Sequence, residues 1–213
     1  MDFDPSVHLN KLELALKRPL PGWEAHSKMI NYDRPSVEEA MRVDPNAKAS
    51  AVLVLMYPKK GIVRTLLMLR QPYDGVHSAQ VSFPGGKKEE IDKDLLATAM
   101  REANEETGID LKGIRILGEL TDVYIKPSGF IVTPFLAWTD DPGSFKPDPV
   151  EVSELIEMPL DHLMDDKYIK QKEIFIRSVN TTLNVNYFDV NGHVVWGATA
   201  MMLSELRDLF RTL

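Results

Sequence analysis

The 213-residue chain contains no cysteine. Disulfides and thiolate metal sites are therefore excluded. No apolar run approaches the ~18 residues that span a bilayer as a helix. The first ten residues, MDFDPSVHLN, lack the basic and apolar regions of a signal peptide. With the reducing compartment that a cysteine-free chain suits, these absences lead us to expect a cytoplasmic protein without a membrane partner. The final Arg211-Thr212-Leu213 does not match the S-K-L peroxisomal address. Basic clusters are missing too. The net charge is −7 and Lys and Arg are scattered, so no nucleic-acid partner is expected. Internal repeats and low-complexity segments are likewise absent.

What is present is a globular composition, 44% hydrophobic and 27% charged. The length suffices for one substantial core and is short for two domains. We expect a single domain over 1–213, with an N-terminal extension of about 45 residues packed on it. A short helix is expected at 7–16, then a proline-containing connector over 20–35. Strands Ala51–Tyr57 and Ile62–Arg70 flank a hairpin-like turn at Pro58-Lys59-Lys60-Gly61. A loop over 71–91 leads to a helix at about 93–107. Further strands are expected at 113–124, 130–138 and 183–190, and helices near 160–165 and 197–211. The proline-rich stretch 140–150 reads as an exposed loop. Strands on both sides of a helix, without a repeating βαβ period, predict an α/β (α+β) fold with a mixed sheet between helices.

The segment 85–109, GGKKEEIDKDLLATAMREANEETGI, carries the most information. Leu95, Leu96, Ala99, Met100 and Ala103 recur at helical spacing as an apolar stripe. Asp92 or Asp94 is placed to cap the N-terminus, and Gly108 to end the helix in a left-handed conformation. On the other side Glu102, Glu105 and Glu106 project together, although like charges at that spacing oppose helix formation by roughly 0.2–0.5 kcal/mol per pair. A solvated acidic face would explain the carboxylates alone. It would not explain the glycine pair in front or Arg101 beside them. Oxygen ligands at this spacing suit Mg²⁺ or Mn²⁺.

Gly86, Asp92, Arg101, Glu102, Glu105, Glu106, Gly108 and Ile109 resemble the signature of the Nudix hydrolases, which cleave a nucleoside diphosphate linked to another group. Asp92 replaces the usual glutamate, and the stretch from Asp92 to Arg101 is one residue longer than the strict pattern. A second stretch, Leu66–Arg70 followed by HSAQVSFPGGK at 77–87, resembles the extra signature of the coenzyme A pyrophosphatase branch. So do Leu20-Pro21-Gly22 with Ala25-His26 and Met29, and Trp196–Ala200. Gly75 stands where that branch has a second arginine, and Ala79 where it has a glycine.

The resemblance implies a Nudix-like mixed β-sheet sandwiched between helices and metal-dependent hydrolysis of coenzyme A or a derivative to 3′,5′-ADP and 4′-phosphopantetheine. It implies metal ligation by Glu102, Glu105, Glu106 and the Gly86 carbonyl, and it has Arg101 orient a glutamate through a bidentate ion pair. Glu151 is the expected general base, with Glu154 its rival. Arg70, Gln80, Ser82, Gly85 and Lys87 are expected to contact substrate, while Lys88 reads as a solvated charge. His77 is more simply structural or solvated, and Phe83 and Trp196 read as packing residues. The expected partner is a small nucleotide-type molecule, and a homodimer is a candidate assembly. Two alternatives stay open. One is a Nudix hydrolase for ADP-ribose, a dinucleotide or an oxidised nucleotide, which Gly75 favours. The other is a non-catalytic nucleotide-sensing or interaction module, which the intact Arg101-Glu102 and Glu105-Glu106 pairs oppose.

Overall fold

The computed structural model describes residues 4–31, 34–72, 78–176 and 180–213. Its central strand, β1 (Lys48–Lys59), sends alternate side chains to two different cores. Ala51, Leu53, Leu55 and Tyr57 join one cluster with Ala99 and Ala103, whereas Val54 and Met56 join the other with Leu203 and Leu206. A strand buried on both faces reads as a continuous apolar run, as SAVLVLMY does. β2 (Ile62–Arg70) returns antiparallel through Lys60-Gly61, both at positive φ (53° and 73°), the geometry of a two-residue hairpin turn.

β7 (Phe130–Trp138) runs parallel to β1 from Lys48↔Phe130 to Met56↔Trp138. β5 (Arg115–Glu119) and β6 (Val123–Ile125) are antiparallel to β7, and β8 (Val152–Pro159) is antiparallel to β2. Two short strands complete this mixed sheet, β3 (Val81–Ser82) on β2 and β4 (Gly85–Lys87) on β1. Helix α4 (Leu95–Thr107) covers one face and α6 (Gly197–Arg211) the other, the expected sandwich. β9 (Ile169–Ile176), β10 (Thr181–Val190) and β11 (His193–Val195) form a separate antiparallel sheet.

Three helices precede β1: α1 (Pro5–Ala15), α2 (Gly22–Ser27) and α3 (Val37–Val43). Leu9 and Leu12 of α1 enter the α6-side core. α2 is fastened to α6 by a buried carboxylate. Glu205, fully buried, accepts from the N–H of Gly22 (3.3 Å), the N–H of Thr121 (3.1 Å) and the Thr121 hydroxyl (2.6 Å), and faces His26 Nε2 at 3.0 Å. Ser204 Oγ donates to the Ala25 carbonyl at 2.7 Å. Gly22, Ala25 and His26 thus meet the helix that Trp196–Ala200 begins.

Several expectations need correction. The 20–35 connector contains α2, because Glu205 draws that segment onto α6. The strand expected at 113–124 divides into β5 and β6, broken where Thr121 turns inward to Glu205. α3, β8 and β9 were not expected. α3 carries a full Ser36–Glu39 capping box.

Candidate active site

The Asp94 carboxylate caps α4 by accepting from Ala97 N at 2.7 Å, and Gly108 ends the helix at φ 69°. Two of the glutamates of α4, Glu102 and Glu105, share Arg101, and Glu106 faces Arg70 and Gly85. Glu106, buried, accepts from the Gly85 N–H (2.7 Å) and from Arg70 Nη2 (3.1 Å). The same Arg70 nitrogen donates to the Gly85 carbonyl at 3.0 Å, closing a small ring of polar contacts. The Glu102 carboxylate lies on Gly86, where an added Cβ would stand 2.5–2.7 Å from all three of its terminal atoms. Gly85 has no room either. A Cβ there would meet the Ala51 carbonyl at 2.2 Å, at a φ of 150° that side chains rarely adopt. The glycine pair therefore lets the loop press against β1 while receiving Glu102. The Gly86 carbonyl accepts from Ser50 Oγ at 2.7 Å.

Arg101 does not form its bidentate pair with a glutamate. Its Nε and Nη2 each lie 2.9 Å from one oxygen of Asp92, while Nη1 makes single contacts of 2.9 Å to Glu102 and to Glu105. Asp92 also accepts from Glu89 N and Thr98 Oγ1, so both its oxygens are occupied and it caps no helix. The Arg101 guanidinium holds the Asp92 carboxyl well below the usual carboxylate range. Asp92 is thereby an anchor for the arginine, and its shortened side chain still reaches because the preceding loop is closed on Glu89. Lys88 is likewise not simply solvated: its Nζ donates to the Asp92 carbonyl at 2.9 Å.

The carboxylates perturb one another. Burial pushes Glu106 up to about 7; Arg70 and the Gly85 N–H oppose this, and the charges of Glu102 and Glu151 reinforce it. Burial also raises Glu102, against Arg101 and with help from Glu105 and Glu151. Glu151, exposed immediately before β8, is thus felt at both Glu102 and Glu106. The segment carrying it is tied to the site at two ends. Asp148 N donates to the Glu106 carbonyl (3.0 Å), and Gln71 N donates to the Glu151 carbonyl (2.9 Å). Gln71 Nε2 reaches the Pro149 carbonyl at 3.0 Å. Gln71 was missed in the sequence; its position directly after Arg70 was the only signal. Glu154 instead points to His193, 3.4 Å away.

The remaining expected contacts are dispersed. The Gln80 carbonyl accepts from Arg70 N at 3.0 Å. Ser82 pairs across strands with Met68, two residues before Arg70, and its buried hydroxyl has no hydrogen-bond partner among the described residues. Lys87 is exposed at the end of β4. Phe83 is core, as expected, and Trp196 precedes α6, half-buried. Gly75 and His77 lie outside the described residues.

Among the described residues, no three His, Asp or Glu side chains are already gathered around one point at metal-binding distance. The donor chemistry nevertheless fits a hard divalent cation. Burial raises the proton affinity of both Glu102 and Glu106 beside a backbone carbonyl, and neighbouring carboxylates add to it, a repulsion that positive charge relieves. Glu102 and Glu106 are the groups able to hold it, with Glu105 free to join on leaving Arg101.

A carboxylate-bearing helix behind a glycine loop, packed on a mixed sheet, defines an enzyme of the Nudix type. The chain belongs to that family: the NUDIX domain model matches residues 47–179. It is therefore a Nudix pyrophosphohydrolase. It is 34% identical over 164 residues to the human mitochondrial coenzyme A diphosphatase NUDT8, covering 76% of this chain and 69% of that protein. It is 30% identical to the Nudix hydrolase NudL of Photorhabdus laumondii, over 78% of this chain and 86% of that one. The fold is similar to the NUDIX domain of Shewanella oneidensis NrtR in complex with ADP-ribose, with a TM-score of 0.51 at 15% identity, covering 84% of this chain and 94% of that one. No helix among the described residues is long and apolar enough to cross a membrane.

Proposed function

We propose that this enzyme hydrolyses the diphosphate of coenzyme A or its derivatives, giving 3′,5′-ADP and 4′-phosphopantetheine, with Mg²⁺ or Mn²⁺ as cofactor. One observation carries the reading. The stretch that resembles the coenzyme A signature is wired to the Nudix helix, because Arg70 binds the Gln80 carbonyl, the Gly85 carbonyl and Glu106 together. The similarity to NUDT8 supports the same substrate. The cysteine-free composition supports a cytoplasmic setting, although the human relative is named a mitochondrial enzyme.

In this reading Glu102 and Glu106 hold the ion, joined by Glu105 and the Gly86 carbonyl. When bound, the ion neutralises phosphate oxygens and raises the acidity of water. Arg101, anchored on Asp92, positions Glu102 and Glu105. Glu151 takes the proton from the attacking water as the bond to the bridging oxygen breaks. Arg70, Gln80, Ser82, Gly85 and Lys87 contact the substrate. Gly75 favours the second reading, another nucleoside diphosphate derivative.

The test is a panel of coenzyme A, acyl-coenzyme A, 3′-dephospho-coenzyme A, ADP-ribose, NADH and 8-oxo-dGTP, with Mg²⁺ or Mn²⁺ and products identified by mass. Glu106→Gln serves as the control, expected to stay folded and lose activity about 100-fold or more. Preferential release of 3′,5′-ADP from coenzyme A supports the proposal. Turnover centred on another compound retires it in favour of the second reading. Metal binding without any turnover would point to the sensing module.

A further inference from the structure

We propose that Asp148 is the positioning residue for Glu151, holding that carboxylate in place relative to the glutamates of α4. The inference rests on one element of the proposed function, that Glu151 takes the proton from water. It does not depend on which diphosphate is the substrate.

Exposure is the starting point. Pro149, Val150 and Glu151 are all exposed, Val150 at 78%, so side-chain packing does not fix where this segment stands. Hydrogen bonds have to, and three converge on Asp148. Its N–H donates to the Glu106 carbonyl at 3.0 Å, and its own carbonyl accepts from Val152 N at 2.9 Å. Its Oδ1 accepts from Val150 N at 2.8 Å. The bond to Val152 closes a turn over 148–152 that ends on the first residue of β8, with Glu151 inside it. The side-chain bond stiffens that turn from within. An aspartate followed by a proline suits the task, because the proline presets φ and the carboxylate reaches the backbone two residues on.

The turn is anchored on the helix that bears the other carboxylates. The carbonyls of Glu106 and Thr107 belong to the last turn of α4, where no intrahelical N–H is left to reach them. Lys146 N donates to the Thr107 carbonyl at 2.7 Å, as Asp148 N does to that of Glu106. Glu106 thus offers its side chain to the site and its carbonyl to Asp148. The charge of Glu151 reaches Glu102 and Glu106, so a shift of the turn alters the spacing within this carboxylate group. Gln71 restrains the Pro149 and Glu151 carbonyls, whereas the Val150 N–H between them is held by Asp148. An aspartate that merely finished a surface turn would matter for stability and leave turnover alone.

The test is steady-state kinetics of the full chain with Mg²⁺, on the diphosphate that the parent cleaves fastest. Thermal melts establish that each variant is folded. Asp148→Ala should lower kcat about tenfold and leave KM within about twofold. Asp148→Asn keeps an acceptor at the same place and should recover kcat to within about threefold of the parent. Asp148→Glu sets the acceptor one methylene further out and should lose kcat as alanine does, which keeps the test decisive if the alanine variant melts early. In a Glu151→Gln background, Asp148→Ala should cost little more. Parental kcat in Asp148→Ala or Asp148→Glu, no recovery in Asp148→Asn, or full additivity with Glu151→Gln overturns the role of Asp148. If Glu151→Gln meanwhile loses activity, Glu151 stands as the base and only its positioning by Asp148 is retired. A fully active Glu151→Gln, or a parent that cleaves no diphosphate, retires both.

Discussion

Gly85 and Gly86 are neighbours in sequence, yet the same alanine substitution should have opposite consequences. At Gly86 the three atoms nearest the added Cβ are all at the far end of the Glu102 side chain, the closest 2.5 Å away. Moving out to the 3.4 Å of ordinary contact displaces the carboxylate by about 0.9 Å, and an ångström of misplacement can reduce a reaction about 100-fold. That is about 2.7 kcal/mol of transition-state stabilisation. The fold should hardly notice, because a glutamate side chain rotates aside. At Gly85 the Cβ meets backbone, the Ala51 carbonyl at 2.2 Å and the Val52 Cα at 2.5 Å, at a φ of 150°. Strain of about 1–3 kcal/mol combines with overpacking of similar size. At about 2–4 °C per kcal/mol for a chain of this length, the melting temperature should fall by roughly 5–20 °C. Thermal unfolding and kcat/KM on the same preparations decide the matter. Gly86→Ala should melt within about 2 °C of the parent and lose about 100-fold in kcat/KM. A Gly86→Ala protein that is fully active, or as unstable as Gly85→Ala, would refute the assignment of steric roles.

Three further outcomes are expected. Burial raises Glu106 from the ordinary 4.5 to about 7, so the stability it contributes without metal is present below pH 4.5 and lost as pH rises through 7. A divalent cation favours the ionised form. Its increment in melting temperature should therefore be larger at pH 8 than at pH 5.5, and equal increments would contradict the perturbed carboxylate. Gln71→Ala should lower kcat about tenfold by releasing the segment that carries Glu151. Combined with Glu151→Gln it should add little, and full additivity would show that Gln71 does not act through that residue. Glu205→Ala strands donors from Gly22, Thr121 and His26 and should destabilise the protein by about 3–5 kcal/mol, whereas Glu205→Gln, which keeps an acceptor, should lose much less in chemical denaturation.

Where neighbouring residues alone decide a structure, the sequence was readable. β2 and β7 begin and end where expected because each is an apolar run bounded by turn residues, and α6 because its stripe is long and amphipathic. β8 and β9 escaped notice. Glu154 and Glu157 interrupt one, and Lys170, Lys172 and Glu173 the other, and both pair along edges where charged side chains meet water. The site divides in the same way. Glu102, Glu105 and Glu106 lie on one helix, so spacing sufficed. The partner of Arg101 lies nine residues upstream beyond the helix cap, and Gln71 reaches Pro149 across a gap of 78 residues. Such pairings come from the assembled sheet, which no local pattern encodes.

The buried Glu205 also bears on how the chain comes into being. It joins residues near 22–26 and at 121 to a helix made well after them, so the α6 face of the sheet cannot close until that helix has been synthesised. The α4 face has no such wait. At about 5–20 residues per second, the ribosome needs roughly 3–10 s to pass from the end of β8 to the end of α6. During that interval α1 and α2 have no α6 to dock against. One side of the nascent sheet therefore depends on the order of translation for its cover, and the other does not.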